Sequence, residues 1–131
     1  MHEANVAWLF ELAVKDGREA DLQALMAEMV EATRADEPGT LDYEWYLSDD
    51  GRRCHVWERY ADASAAMVHL GMFGRRFMKR FFDVLAPERL TLYGAADDAV
   101  RGALAQLGPV VMARAAGFNR HGAAVEARGA G

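Results

Sequence analysis

The stretch TLDYEWYLSDDGRRCHVWERY, residues 40–60, decides the fold. Asp50-Gly51 lies between two runs rich in aromatic and β-branched residues, which is the strongest short hairpin signal a sequence offers. With those two residues as the loop, Leu47 faces Cys54, Trp45 faces Val56, Tyr43 faces Glu58 and Leu41 faces Tyr60 on one side. On the other side Tyr46 faces His55, Glu44 faces Trp57 and Asp42 faces Arg59. This register separates apolar from polar positions and sets opposite charges against each other. A slip of one residue would scramble it.

Upstream of the hairpin, Val6 to Val14 (VAWLFELAV) is apolar almost without pause and reads as a strand buried on both faces. Asp16 is placed to cap a helix, with Glu19 three residues on. Leu22, Leu25, Met26, Met29, Val30 and Thr33 then mark one face of an amphipathic helix running to about Ala35, which Pro38-Gly39 stops. Downstream, Asp62 caps the helical segment ASAAMVHL, which Gly71 and Gly74 interrupt. Helical spacing resumes from Phe73 to Leu85, with Phe73, Phe77, Phe81 and Leu85 on one stripe, and Pro87 ends it. RLTLYG is a fourth strand, and a short helix from about Asp97 to Leu107 precedes a strand from Pro109 to Ala113. Residues 121–131 are Ala/Gly-rich and read as a disordered tail.

The order β-α-β-β-α-β is the ferredoxin-like split βαβ plan, an α+β fold with a four-stranded antiparallel sheet and two helices on one face. Residues 1–95 make this domain, and residues 96–120 add a helix and a strand. The plan leaves one sheet face bare, yet the first strand is apolar on both sides, with Ala7, Leu9 and Ala13 on the bare one. Leaving that surface in water forgoes several kcal/mol at ~25 cal/mol per Å². A homodimer is the economical solution, with the segment after residue 95 as an arm to the second copy.

Composition narrows the class. Of the 131 residues 52% are hydrophobic and 27% charged, as in a packed globular domain. A net charge of −5 argues against nucleic acid as the main partner. The single cysteine, Cys54, makes neither an internal disulfide nor a thiolate cluster, and a reducing cytoplasm is the expected compartment. No signal peptide or membrane-spanning run is read. His55 and Glu58 point to opposite faces of one strand, so no metal site is expected. The basic quartet Arg75, Arg76, Lys79 and Arg80 is read as a solvated helix face balanced by the acidic first helix, not a membrane surface.

Several features together resemble the antibiotic biosynthesis monooxygenase family of dimeric α/β barrels, in particular its quinol monooxygenase branch. They are Lys15-Asp16-Gly17-Arg18, Ala32-Thr33-Arg34 before Pro38-Gly39, Tyr43-Glu44, Glu58-Arg59-Tyr60-Ala61-Asp62, and His69-Leu70. Glu88-Arg89-Leu90, Tyr93-Gly94, Leu107-Gly108-Pro109-Val110 and Gly117-Phe118 are similar to that branch's C-terminal extension. The resemblance covers about residues 5–120. It implies an oxygenase without metal, haem or flavin, which deprotonates a quinol-like or polycyclic phenol in an apolar pocket and lets the anion meet dioxygen. A non-catalytic small-molecule-binding dimer is the alternative. A haem-degrading relative would carry Asn, Trp and His where Phe10, His69 and Phe77 stand here, which argues against haem.

Within that frame His69 is the candidate base, since imidazole titrates near neutral pH. Glu58 falls on the otherwise apolar hairpin face, where a carboxylate must be paired or line a polar pocket, and is the candidate to orient His69 or a substrate hydroxyl. Its bland alternative is a salt bridge to Arg75 or Arg76. Trp8, Phe10, Tyr43, Trp45, Phe73 and Phe77 are the candidate walls for an aromatic substrate.

Overall fold

A computed structural model describes residues 4–120. The elements are β1 (Val6–Val14), α1 (Glu19–Asp36), β2 (Thr40–Leu47), β3 (Arg53–Tyr60), α2 (Ala63–Arg76), α3 (Met78–Val84), β4 (Leu85–Gly94), α4 (Asp98–Leu104), a 3-10 turn (Ala105–Leu107) and β5 (Val110–Met112). The sheet order is β2-β3-β1-β4-β5. β1 pairs antiparallel with both β3 and β4, so it is the central strand, as its two-sided apolar run predicts. The even-numbered side chains Val6, Trp8, Phe10 and Leu12 enter the core under the helices. Ala7, Leu9 and Ala13 lie on the opposite face.

The hairpin register is the one read from residues 40–60, with Tyr43 opposite Glu58 and Asp42 opposite Arg59. Two details differ. The loop closes on Ser48 and Arg53, so four residues turn the chain and only Gly51 (φ 71°) takes positive φ. At the other end a bulge sets Thr40, not Leu41, opposite Tyr60, and Leu41 is left 46% exposed.

Other expectations shift by a turn. Asp16 does not cap α1: Gly17 (φ 76°) makes a turn, and Arg18 stands at the N-cap without a side-chain hydrogen bond. Asp62 and Asp97 do cap, accepting from the Ala65 and Val100 amides at 2.8 and 3.0 Å. Gly71 and Gly74 do not interrupt α2, which runs through both and breaks at Phe77 (φ −125°, ψ −18°). Pro87 does not end the helix but sits inside β4, at a bulge that skips Glu88 and spares the ladder its missing N–H. The sheet has five strands, not four, because β5 joins β4 in parallel. The segment after residue 95 packs on its own chain through that pairing and through α4 against α2. The expected tail, residues 121–131, lies outside the described residues. No helix among them is long and apolar enough to cross a membrane.

Candidate functional site

Three elements bring charged groups together beneath α2. Glu37 ends α1; preceding Pro38 disfavours a helical conformation there, and the residue turns out of the helix at φ −129°, ψ 79°. Its Oε1 accepts from the Thr40 hydroxyl at 2.8 Å and lies 2.8 Å from His69 Nδ1. Glu58 points inward from β3, where its Oε1 accepts from the Tyr60 hydroxyl at 2.5 Å and lies 3.1 Å from His69 Nε2. His69 hangs from α2 between them. Glu37, Glu58 and His69 are each buried, with no more than 5% of their surface exposed. The Tyr43 and Tyr60 rings flank the imidazole at 5.3 and 5.4 Å between centroids.

This geometry favours the charged form of the histidine. A neutral imidazole has one N–H, and here both ring nitrogens face carboxylate oxygens, so only the imidazolium donates to both. Burial alone would pull its pKa down, but contacts with Glu37 and Glu58 outweigh that and raise it from 6.5 to about 9. The tilted tyrosine rings favour the same charged form. Two acid side chains thus share one imidazole, at 2.8 and 3.1 Å. Burial, and then the negative charge of Glu58, push the Tyr43 and Tyr60 hydroxyls well above their ordinary 10, so both remain protonated.

Two of the three, Glu58 and His69, line a cavity of about 50 Å³. Of the six aromatic side chains expected there, Trp8, Phe10, Tyr43 and Phe73 line it. Trp45 and Phe77 do not: Trp45 packs edge-on against Phe81, and Phe77 is buried with the Arg76 guanidinium 5.0 Å from its ring centre. Leu104 and Leu107, from the added C-terminal segment, form part of the wall. The space has room for no more than a few water molecules, at about 10–15 Å³ each, and for no aromatic ring without movement of the wall.

Sequence reasoning missed Glu37 and Tyr60. A carboxylate at a helix C-terminus opposes the helix dipole, and that was the available signal for Glu37. Arg76 reaches Asp36 at 3.6 Å and Arg80 reaches Glu28 at 2.8 Å, which answers the basic quartet with the acidic face of α1. His55 pairs with Glu11 at 3.6 Å on the opposite sheet face from Glu58. Burial pushes the Cys54 thiol up to about 12, so it is no nucleophile.

A split βαβ sheet with a buried acid–imidazole–acid trio under its second helix defines a small α+β protein built around an enclosed polar centre. The chain belongs to the antibiotic biosynthesis monooxygenase family, whose profile matches residues 6–72. Among solved structures it is similar to MupZ from Pseudomonas fluorescens, at 23% identity and TM-score 0.78 over 90% of this chain and 96% of that one. Rv0793 from Mycobacterium tuberculosis is 27% identical at TM-score 0.61, covering 72% of this chain and 98% of its own. A candidate antibiotic biosynthesis monooxygenase from Caulobacter crescentus is 20% identical at TM-score 0.63, covering 72% and 92%. No curated protein matches the chain in sequence.

Proposed function

We propose that the chain is a cofactor-independent monooxygenase that oxidises a quinol-like or polycyclic phenolic substrate with dioxygen. One observation carries the reading: a buried histidine–carboxylate centre opens onto a cavity walled by aromatic side chains. Such a centre takes the phenolic proton, and the dry wall keeps the resulting anion from water. The electron-rich anion passes electrons to dioxygen; one oxygen atom bonds to the ring and the other leaves as water, so a phenol and dioxygen give a quinone and water. Family membership supports the class of reaction. Oxygen uptake with a panel of hydroquinones and polycyclic phenols tests it. The wild type should consume oxygen and His69→Ala should lose about a hundredfold or more in rate. Equal uptake by both would remove the centre from the chemistry.

The cavity's small volume favours a second reading, a non-catalytic small-molecule-binding protein of the same fold. Ligand binding with uptake no faster than in buffer would select it. In both readings the chain works as a homodimer. The open sheet face supports this, with a groove of about 660 Å³ bordered by Ala7, Trp57, Tyr93 and Met112. Sedimentation should show twice the chain mass, and a lone subunit at micromolar concentration would rule the dimer out.

A further inference from the structure

We infer that the cavity, once its wall moves to admit a ring, selects an uncharged, hydroxyl-bearing one, that Glu58 rather than His69 receives its proton, and that His69 and Glu37 are positioning residues. The ligand class rests on the phenol-oxidation reading above; the choice of acceptor rests on geometry.

A proton acceptor needs a free lone pair facing the substrate. His69 has none, because Nδ1 lies 2.8 Å from Glu37 and Nε2 3.1 Å from Glu58. Glu58 has one. Its Oε1 takes the Tyr60 hydroxyl and the imidazolium, no hydrogen bond among the described residues reaches its Oε2, and the residue lines the cavity. Glu37 is absent from the cavity wall, so it acts on a substrate only by holding the imidazolium.

Charge sets the selection. The groups that face the cluster are Glu37 from the end of α1, Tyr43 from β2, Tyr60 from β3 and His69 from α2. The other elements around the cavity present apolar side chains such as Phe10, Phe81, Leu90 and Leu104, and no Lys or Arg lines it. An anion entering this low-dielectric space meets two acids that already share the one imidazole, with no further cation to pair with, while a neutral phenol meets an acceptor. In the proton step the substrate O–H bond breaks and an O–H bond forms on Glu58. The electron pair stays on the phenolate oxygen, and the resident imidazolium lies one carboxyl away. The total charge of the enclosed space is unchanged, so the transfer needs no counterion.

The test is anaerobic equilibrium binding of 4-nitrophenol to the full-length wild type, across the phenol's own ionisation. Affinity should be constant on the acid side and fall about tenfold per pH unit on the alkaline side, as the neutral form is depleted. Glu58→Gln removes one negative charge and the acceptor, so its affinity for the neutral form should fall about tenfold and its alkaline decline should flatten. Where the reaction proceeds, Glu37→Gln should move the alkaline limb of the oxygen-uptake profile down by about one pH unit, because His69 loses a carboxylate. A wild type that binds nitrophenolate as tightly as nitrophenol, or binds neither, overturns the inference whether or not the variants fold. Neutral-selective binding without oxygen uptake overturns the oxygenase reading alone. Uptake with a preference for phenolate overturns the selection alone.

Discussion

At the scale of single residues, the side chains that carry the account are those that break their local pattern. Glu58 is a carboxylate in an apolar strand face, and His69 is an imidazole among apolar helix positions; both were legible because burial of such groups demands partners. Glu37 was not, because Pro38-Gly39 explains the end of α1 without it, and nothing in the sequence shows that α1 ends beside α2. Tyr60 looked like an ordinary core aromatic; its hydroxyl acquires meaning only from the 2.5 Å contact with Glu58, two residues away on the same strand face. Tyr60→Phe keeps the ring in place and removes that donor from a buried carboxylate partner. The variant should lose about 2 kcal/mol of unfolding free energy in urea titration, the usual cost of a hydrogen bond to a charged group. A loss within a few tenths of a kcal/mol would mean that the hydroxyl is dispensable.

At the scale of elements, periodicity placed the strands and helices well and misjudged what glycine does. The hairpin register held because a one-residue slip would bury Glu44 and Asp42, an error that the alternation forbids. Its far end strayed where the chain leaves Gly39 for β2. A Cβ on Gly39 would meet the Ala65 Cβ at 2.6 Å, so the glycine lets α2 sit against this corner, a contact invisible from spacing alone. Gly71 and Gly74 suggested an interruption of the helix, yet α2 passes through both. Gly74 is solvent-exposed, helical, and has nothing within 4 Å of a built Cβ. Gly74→Ala should therefore raise stability by about 0.5–1 kcal/mol and leave oxygen uptake unchanged. A stabilised protein with slower uptake would show that flexibility at Gly74 serves the reaction.

At the scale of the whole molecule, the fold and its family were readable from the order of elements, while the cavity was not. Its size depends on how Phe73 and Phe81, from α2 and α3, meet Leu104 and Leu107, which follow only after β4 in the chain. The fifth strand was read as a strand, but its parallel seat beside β4 follows from tertiary packing. What unites the chain is the buried cation, and its protonation is linked to folding. The His69 pKa is higher in the folded state than in the unfolded chain, so its contribution is complete below pH 6.5 and is lost as pH rises through about 9. Cys54, Tyr43 and Tyr60 have raised values as well, and their losses begin near the unfolded values of 9.0 and 10.0, at the top of this interval and above it. The most direct measurement is the unfolding free energy of the wild type and of His69→Gln across this interval. The wild type should lose about 3 kcal/mol from pH 6.5 to pH 9 while His69→Gln stays flat. A wild-type stability that holds level or rises over that interval would contradict an imidazolium held between Glu37 and Glu58.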